Sequence, residues 1–313
     1  DEAKIKGAKL RTVVNGDQID FGPFQVEFIS MTHSTTGCFA LSINSPVGTI
    51  FHTGDFKIDH TPVDKKTVDL ARIAEIGSKG VHLLLMDSTN VERSGYSMSE
   101  TKVFNSLDNI FSQNTTKRII VATFASNIHR VQQIINCAIK HGRRVAYSGR
   151  SMENIAEIAY TIGELRYPPD TIVDIEKIGK IPEDKICIIT TGTQGEPFSA
   201  LTRMSQDNFK AVKIGENDTV IFSSSAIPGN EKLIYTVINN LYKRGAEVIY
   251  RTLEDIHVSG HACKEELRLM FALLKPKYFI PVHGEYRHLR QHIKLAKEMG
   301  IHEANTVLPE HGM

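Results

Sequence analysis

The sequence predicts an α/β protein in two parts. A strand-rich region opens the chain and resumes near residues 255–313, and a doubly wound α/β domain is inserted between. Three observations carry this reading. Residues 25–52 hold three short apolar or alternating runs divided by turn residues, the pattern of an antiparallel meander. From about Ser97, helical and strand patterns alternate, as in a mostly parallel sheet with helices on its faces. Residues 255–288 then form a loop, a helix and a strand that carry His261 and His283 to one end of a layered unit. Loops there sit on a rigid scaffold and face outward, so chemistry concentrates in them.

The meander strands are 25–30, 38–43 and 49–52, punctuated by Gly37, Pro46 and Gly48. A helix follows over 68–76 and a strand over 81–86. The second domain reads as helix 100–111, strand 118–122, helix 128–140, strand 144–147, helix 151–162, and strands 185–190 and 219–222. Helix 231–244 and strand 247–250 complete it. Its strand exits are rich in Ser, Thr, Asn and Gly, which offer hydroxyls and free N–H groups to phosphate. In the returning stretch, Leu267, Met270, Phe271 and Leu274 recur at helical spacing, and Pro276 stops that helix. Strand 278–282 and an amphipathic helix over 286–298 come next.

Composition narrows the functional classes. With 313 residues, 41% hydrophobic and 23% charged, the chain has enough apolar material for a sizeable core. A net charge of +1 excludes a global polycation, so a nucleic acid must be held by a local patch or a metal site. Cys38, Cys137, Cys187 and Cys263 are far apart and form no Cys-x-x-Cys pair. That argues against a zinc ribbon and a disulfide framework and favours a reducing compartment, the cytoplasm. No apolar run approaches the roughly 18 residues of a membrane span, and no signal peptide opens the chain. It begins on Asp1 in mid-pattern, which predicts a fragment of a longer protein.

His33, Asp55 and His283 each sit at a strand exit beside a small residue: Ser34, Gly54 and Gly284. Imidazole and carboxylate together suit zinc or manganese. Singly, each has a plainer reading, as a hydrogen-bonding loop histidine or a turn aspartate. Only the matching positions of the set point to a metal. Asp87 and His261 form a second pair. A carboxylate bonded to imidazole fixes its tautomer and supports a protonated general acid. The alternative is that Asp87 caps its turn and His261 caps the helix beginning at Lys264. His257 and His261 are four apart but span Ser259-Gly260, a loop signature. His288 and His292 are four apart in a helix and read as a solvated face. No His-Glu-x-x-His is present, which argues against a zincin. Glu196, Asn127 and His129 are weaker candidates for substrate contact. Lys140-His141-Gly142-Arg143-Arg144 reads as an exposed helix end, with nucleic-acid contact the alternative.

Together these segments resemble the ribonuclease J family, in the β-CASP branch of the metallo-β-lactamase superfamily. The resemblance rests on Thr32-His33-Ser34, on TGDFK (53–57) and DSTN (87–90), and on ATFASNIHRVQQII (122–135) and GRSM (149–152). It continues through TTGTQGEP (190–197), SSSAIPGNE (223–231), HVSGH (257–261) and PVHGE (281–285). They stand in family order over nearly the whole chain. The resemblance implies a metallo-β-lactamase αββα core, truncated at its N-terminus, with an inserted doubly wound β-CASP domain. The core is expected over 1–98 and 263–313 and the insertion over 99–262.

It also implies roles. His33, Asp55 and His283 are expected as metal ligands, Asp55 bridging two Zn2+ ions, with Mn2+ or Mg2+ as substitutes. Asp87 and His261 are expected as an acid pair near the leaving oxygen. Ser126, Asn127, Ile128 and the loop His257, Val258, Ser259, Gly260 and His261 are expected to hold RNA phosphates. The implied activity is hydrolysis of single-stranded RNA, both 5′-to-3′ from a 5′-monophosphate end and internally, in rRNA processing and mRNA decay. A homo-oligomer or a pairing with a paralogue, and no membrane, go with it. One departure is large. None of the 13 histidines lies two positions from another, so the family's His-x-His-x-Asp-His signature is absent. That predicts truncation at the N-terminus; the family's C-terminal region is also missing after Met313, and the stretch on its own is expected to be inactive. A small-ester hydrolase and a metal-free RNA-binding relative are the competing readings. The insertion argues against the first, and the missing signature favours the second.

Overall fold

A computed structural model describes residues 7, 9–227, 229–250, 256 and 258–310. The strands in chain order are β1 (Gln18–Phe21), β2 (Phe24–Ser30), β3 (Phe39–Ser45), β4 (Gly48–His52), β5 (Leu83–Asp87) and β6 (Arg118–Ala122). They continue as β7 (Arg144–Ser148), β8 (Ile172–Val173), β9 (Ile186–Thr190), β10 (Asp218–Phe222), β11 (Glu247–Ile249) and β12 (Tyr278–Val282). The helices are α1 (Leu70–Lys79), α2 (Glu100–Gln113), α3 (Ile128–Lys140), α4 (Arg150–Thr161), α5 (Ala200–Ser205), α6 (Glu231–Lys243), α7 (Lys264–Leu274) and α8 (Tyr286–Glu298).

Two six-stranded sheets result. The first has the order β1-β2-β3-β4-β5-β12. Its first four strands are antiparallel, and β4, β5 and β12 are parallel. Phe51, Leu84 and Phe279 of this sheet pack against Ile73 of α1 and Leu267 and Met270 of α7. A Cβ at Gly77 would lie 1.9 Å from the Leu273 carbonyl oxygen, so α1 and α7 meet backbone to backbone there. The second sheet, β11-β10-β6-β9-β7-β8, is parallel throughout. Every residue of β6, β9 and β10 is buried, as a sheet covered on both faces requires. Alternate residues serve two cores. Ile119, Val121 and Ile189 face α2, α3 and α4, while Ile120, Ile188 and Val220 face α5 and α6.

The expected fold class holds, with local differences. Strands β1 and β8 and helix α5 were not anticipated: they have four, two and six residues, too short for a clear periodic signal. In the basic cluster at 140–144, Arg143 is buried and donates to the carbonyls of Lys117 and Asn114, while Lys140 and His141 pair with Asp108. The second correction concerns α8. His288 and His292 were read as a solvated face, but both are buried. The apolar stripe of α8 includes Ile293, Leu295 and Ala296, and His292 falls beside it. Its ring packs edge-on against Phe271 and Phe279, and its Nδ1 lies 2.9 Å from Ser88 Oγ. No helix among the described residues is long and apolar enough to cross a membrane.

The chain leaves the first sheet's unit before α2 and returns before α7, and one side chain ties both crossings. Glu266 is fully buried. Its Oε1 accepts from Ile58 N and Ser97 Oγ, each at 2.7 Å. Its Oε2 accepts from Ser97 N at 2.7 Å and Cys263 N at 2.8 Å. Deeper between the sheets, the buried Arg130 pairs with Glu100 at 2.7 Å and donates to the Ile256 carbonyl at 2.8 Å.

Two outcomes follow. Glu266→Gln puts an NH2 group opposite N–H donors, and unpaired buried donors cost roughly 1–3 kcal/mol each. Its urea midpoint is expected to fall by an amount equivalent to on the order of 3 kcal/mol. The second concerns pH. Burial pushes the His292 pKa from 6.5 down to about 3. The folded state therefore stays neutral while the unfolded chain takes up a proton. Stability from this group is full above pH 6.5 and is lost as pH falls toward 3. Between pH 7 and pH 5, denaturant unfolding of His292→Leu should lose about 2 kcal/mol less stability than the parent.

Candidate active site

The direction of the strands gathers the candidate residues. β2 and β4 each run antiparallel to β3, and β4, β5 and β12 run together. The C-terminal ends of β2, β4, β5 and β12 therefore share one edge. His33, Asp55, Asp87 and His283 leave from those ends, and the loop before α7 brings His261 among them.

Ligand atoms of Asp55, Asp87, His261 and His283 all lie within 4.8 Å of one another. Asp55 Oδ2 and His283 Nε2 are 3.7 Å apart, and both side chains are about half exposed, 46% and 51%. Their turns are constrained. His52 Nδ1 accepts from Gly54 N at 2.9 Å, which fixes the turn before Asp55. His283 has φ +60, a left-handed conformation that costs an ordinary residue roughly 1–2 kcal/mol. Strain of this kind persists only where the surroundings enforce it, and it clusters at functional sites.

Asp87 and His261 make the inner pair. Asp87 is 2% exposed, and its Oδ2 lies 2.7 Å from His261 Nδ1. Its Oδ1 accepts from Thr89 N and Thr89 Oγ1 at 3.0 and 2.7 Å. Asp87 thus caps its turn and holds the imidazole at once. His261 does not cap α7, whose N-cap is Cys263. Burial opposes the charged form of both groups, but their mutual bond outweighs it. The Asp87 pKa is held below the ordinary carboxylate value, and that of His261 above the ordinary imidazole value.

His33 stands beside this group. Its ring centroid is 4.9 Å from that of His261, and its Nδ1 donates to the Gly260 carbonyl at 2.7 Å. That bond leaves Nε2 with a lone pair, 3.3 Å from Ser34 Oγ. Burial lowers the His33 pKa, against the raising effect of the Gly260 bond. A neutral imidazole that gives its other N–H to a carbonyl is the usual form of a metal-binding histidine. Asp55, His283 and the unprotonated Nε2 of His33, which accepts from Ser34 Oγ, are therefore groups of the right chemistry for zinc or manganese. A cavity of about 470 Å³ opens beside His33 and reaches His129 and Glu164 of the second unit.

The expected phosphate-holding residues fall in two places. Ser126 is exposed, Asn127 is buried with its side chain accepting from Arg130 N at 3.1 Å, and Ile128 packs in the core. Val258 is buried, Ser259 half-buried and Gly260 buried. His257 lies outside the described residues. Asn90 and Glu266, which hold the His261 loop, were not singled out from sequence. Glu266 sits where a capping glutamate would, but behind Cys263 rather than the usual Ser or Thr, so the signal is weak.

A Cβ at Gly260 would lie 2.7 Å from the His33 ring and from Ser34 Oγ. Gly260→Ala is expected to displace His33, changing its imidazole NMR resonances while those of the exposed His302 stay in place.

Two known families match this chain. Ribonuclease J, beta-CASP domain, matches residues 116–241, and the Zn-dependent metallo-hydrolase RNA specificity domain matches residues 245–309. The chain is 47% identical to Ribonuclease J of Helicobacter pylori over 294 residues, 94% of this chain and 42% of that protein. It is 44% identical to Ribonuclease J of Synechocystis over 309 residues, 98% of this chain and 48% of that one. Ribonuclease J2 of Bacillus subtilis is 40% identical over 303 residues, 97% of this chain and 54% of that one. The chain spans about half the length of the curated relatives it matches. A crystal structure of a protein of unknown function from Enterococcus faecalis V583 shares the fold, with a TM-score of 0.64 at 20% identity over 97% of this chain and 67% of that one.

Proposed function

The chain belongs to the ribonuclease J family, and on that premise we propose that it carries part of the catalytic centre of a metal-dependent ribonuclease. The observation that carries this reading is the convergence of Asp55, Asp87, His261 and His283 within 4.8 Å. The first sheet is then the metallo-β-lactamase core, over 1–98 and 263–313, and the second is the β-CASP insertion, over 99–262.

In this reading His33, Asp55 and His283 hold the metal, as two Zn2+ ions or Mn2+ or Mg2+ in their place. Bound there, divalent metal supplies Lewis acidity toward the phosphate and a water of lowered pKa. The remaining work falls to the chain itself. Asp87 fixes Nδ1 of His261, so Nε2 is the nitrogen that presents a proton. The bond to Asp87 and its negative charge, against the opposing effect of burial, raise the proton affinity of His261 above that of an ordinary imidazole. His261 Nε2 then gives it to the departing 3′ oxygen. Ser126, Asn127, Ile128 and the loop 257–261 hold the backbone of single-stranded RNA. Backbone contacts carry no base information, so cleavage is independent of sequence. The substrate ends in a 5′-monophosphate, and trimming proceeds 5′-to-3′ beside internal cuts. The work belongs to rRNA processing and mRNA decay in the cytoplasm, by a homo-oligomer or a pairing with a paralogue.

The test uses the complete gene product with 5′-monophosphorylated RNA and, separately, small esters. RNA cleavage that stops on chelation is expected, and ester hydrolysis without RNA cleavage would sink the reading. His283→Ala should abolish cleavage and leave RNA binding largely intact. Retained cleavage would remove His283 from the metal site.

A further inference from the structure

Besides its bonds to Asp87 and Glu266, the loop that carries His261 has three further holds. His33 Nδ1 bonds the Gly260 carbonyl at 2.7 Å. Ala262 N donates to the Phe56 carbonyl at 2.6 Å. The third hold is Asn90, a buried residue three positions beyond Asp87. Its Nδ2 donates to Ser259 Oγ at 2.7 Å and to the His261 carbonyl at 2.9 Å. A carbonyl only accepts, so the atom facing it is the amide nitrogen, and its two hydrogens serve the two partners. The backbone of Asn90 also bridges to Cys263.

The consequence lies at Ser259. A hydroxyl has two lone pairs and one proton. One lone pair takes the Asn90 hydrogen, and the other takes His261 N–H, at 3.3 Å. Its capacity to accept is filled from within the protein. What remains is its proton, and no hydrogen bond among the described residues takes it. The half-buried Ser259 hydroxyl is thereby an obligate donor, two residues from His261. A hydroxyl with a free choice would spend part of its time accepting from water.

We propose that Asn90 is a positioning residue for phosphodiester cleavage: it makes Ser259 a committed donor to a phosphate oxygen and sets the backbone of His261. The inference rests on the ribonuclease reading above. Asn90 touches no substrate and acts through Ser259 and His261.

Asn90→Asp is the sharpest probe, because it keeps the shape and reverses one hydrogen-bonding group. A carboxylate oxygen faces the His261 carbonyl and draws the Ser259 proton inward, away from the substrate. Parent, Asn90→Asp, Ser259→Ala and the double variant are compared in the complete gene product, on 5′-monophosphorylated RNA. Melting temperature and zinc titration accompany the kinetics. The kcat of Asn90→Asp is expected to fall on the order of tenfold to a hundredfold, with KM and zinc affinity within about twofold of the parent. In the Ser259→Ala background the same change should cost clearly less, since one of its two routes is already gone. Parental kcat in Asn90→Asp, or penalties that multiply in the double variant, overturns the proposal. Asn90→Ala, which removes the donor without adding charge, carries the same expectation if Asn90→Asp does not fold. A parent that leaves RNA uncut refutes the ribonuclease reading; a parent that cuts, with an equally active Asn90→Asp, refutes only the role of Asn90.

Discussion

The carboxylate of Glu266 accepts four hydrogen bonds from three separate stretches of chain. Ile58 lies three residues beyond Asp55, Ser97 stands where the chain leaves the first unit, and Cys263 lies two residues beyond His261. One buried charge therefore sets the turn that bears a candidate metal ligand, the departure of the insertion and its return. Hydrogen bonds to an ionised group contribute about 1.5–3 kcal/mol each, and a buried carboxylate is tolerated only when its lone pairs are filled. With four donors the requirement is met, and the geometry admits little else. The candidate site is thus referenced to a fixed point inside the protein rather than to the mobility of its loops.

Around that point the polar groups between the two sheets form further links. Lys57 and Asp59, both nearly fully buried, pair at 3.3 Å, and Asp59 accepts from Glu100 N at 3.1 Å. Glu100 in turn holds Arg130, which reaches the Ile256 carbonyl ahead of the His261 loop. Buried pairs of this kind are weak evidence for stability, because desolvation offsets much of the attraction. Their effect is on specificity of arrangement: each partner fixes where the other can sit. The cost of misplacing one is large, since it leaves a charge unpaired.

The five candidate residues divide by environment. Asp55 and His283 are half exposed and 3.7 Å apart, open to an ion from solvent. Asp87 and His261 are sheltered, and their mutual bond governs both proton affinities. His33 is kept neutral by burial and oriented by a carbonyl. Imidazoles of one residue type thus differ in exposure and proton affinity through their neighbours alone.

Most of the framework was legible in the sequence. β6, α3, β12 and α8 have the bounds that their periodicity predicts, because alternation and helical spacing are properties of adjacent residues. The placing of His33, Asp55, Asp87 and His283 at strand exits was legible for the same reason. Partners across long stretches of chain were not. Nothing local announces that Ser88 meets His292 across 204 positions, that His33 leans on Gly260 across 227, or that Asn90 grips Ser259 across 169. α8 reads as an amphipathic helix, yet which side of it His292 occupies depends on Phe271 and Phe279. The sequence by itself determined the elements and the edge at which the chemistry gathers, since both follow from the order of neighbouring side chains. Only the tertiary structure decided which donor satisfies which buried acceptor, since that depends on distances closed by folding.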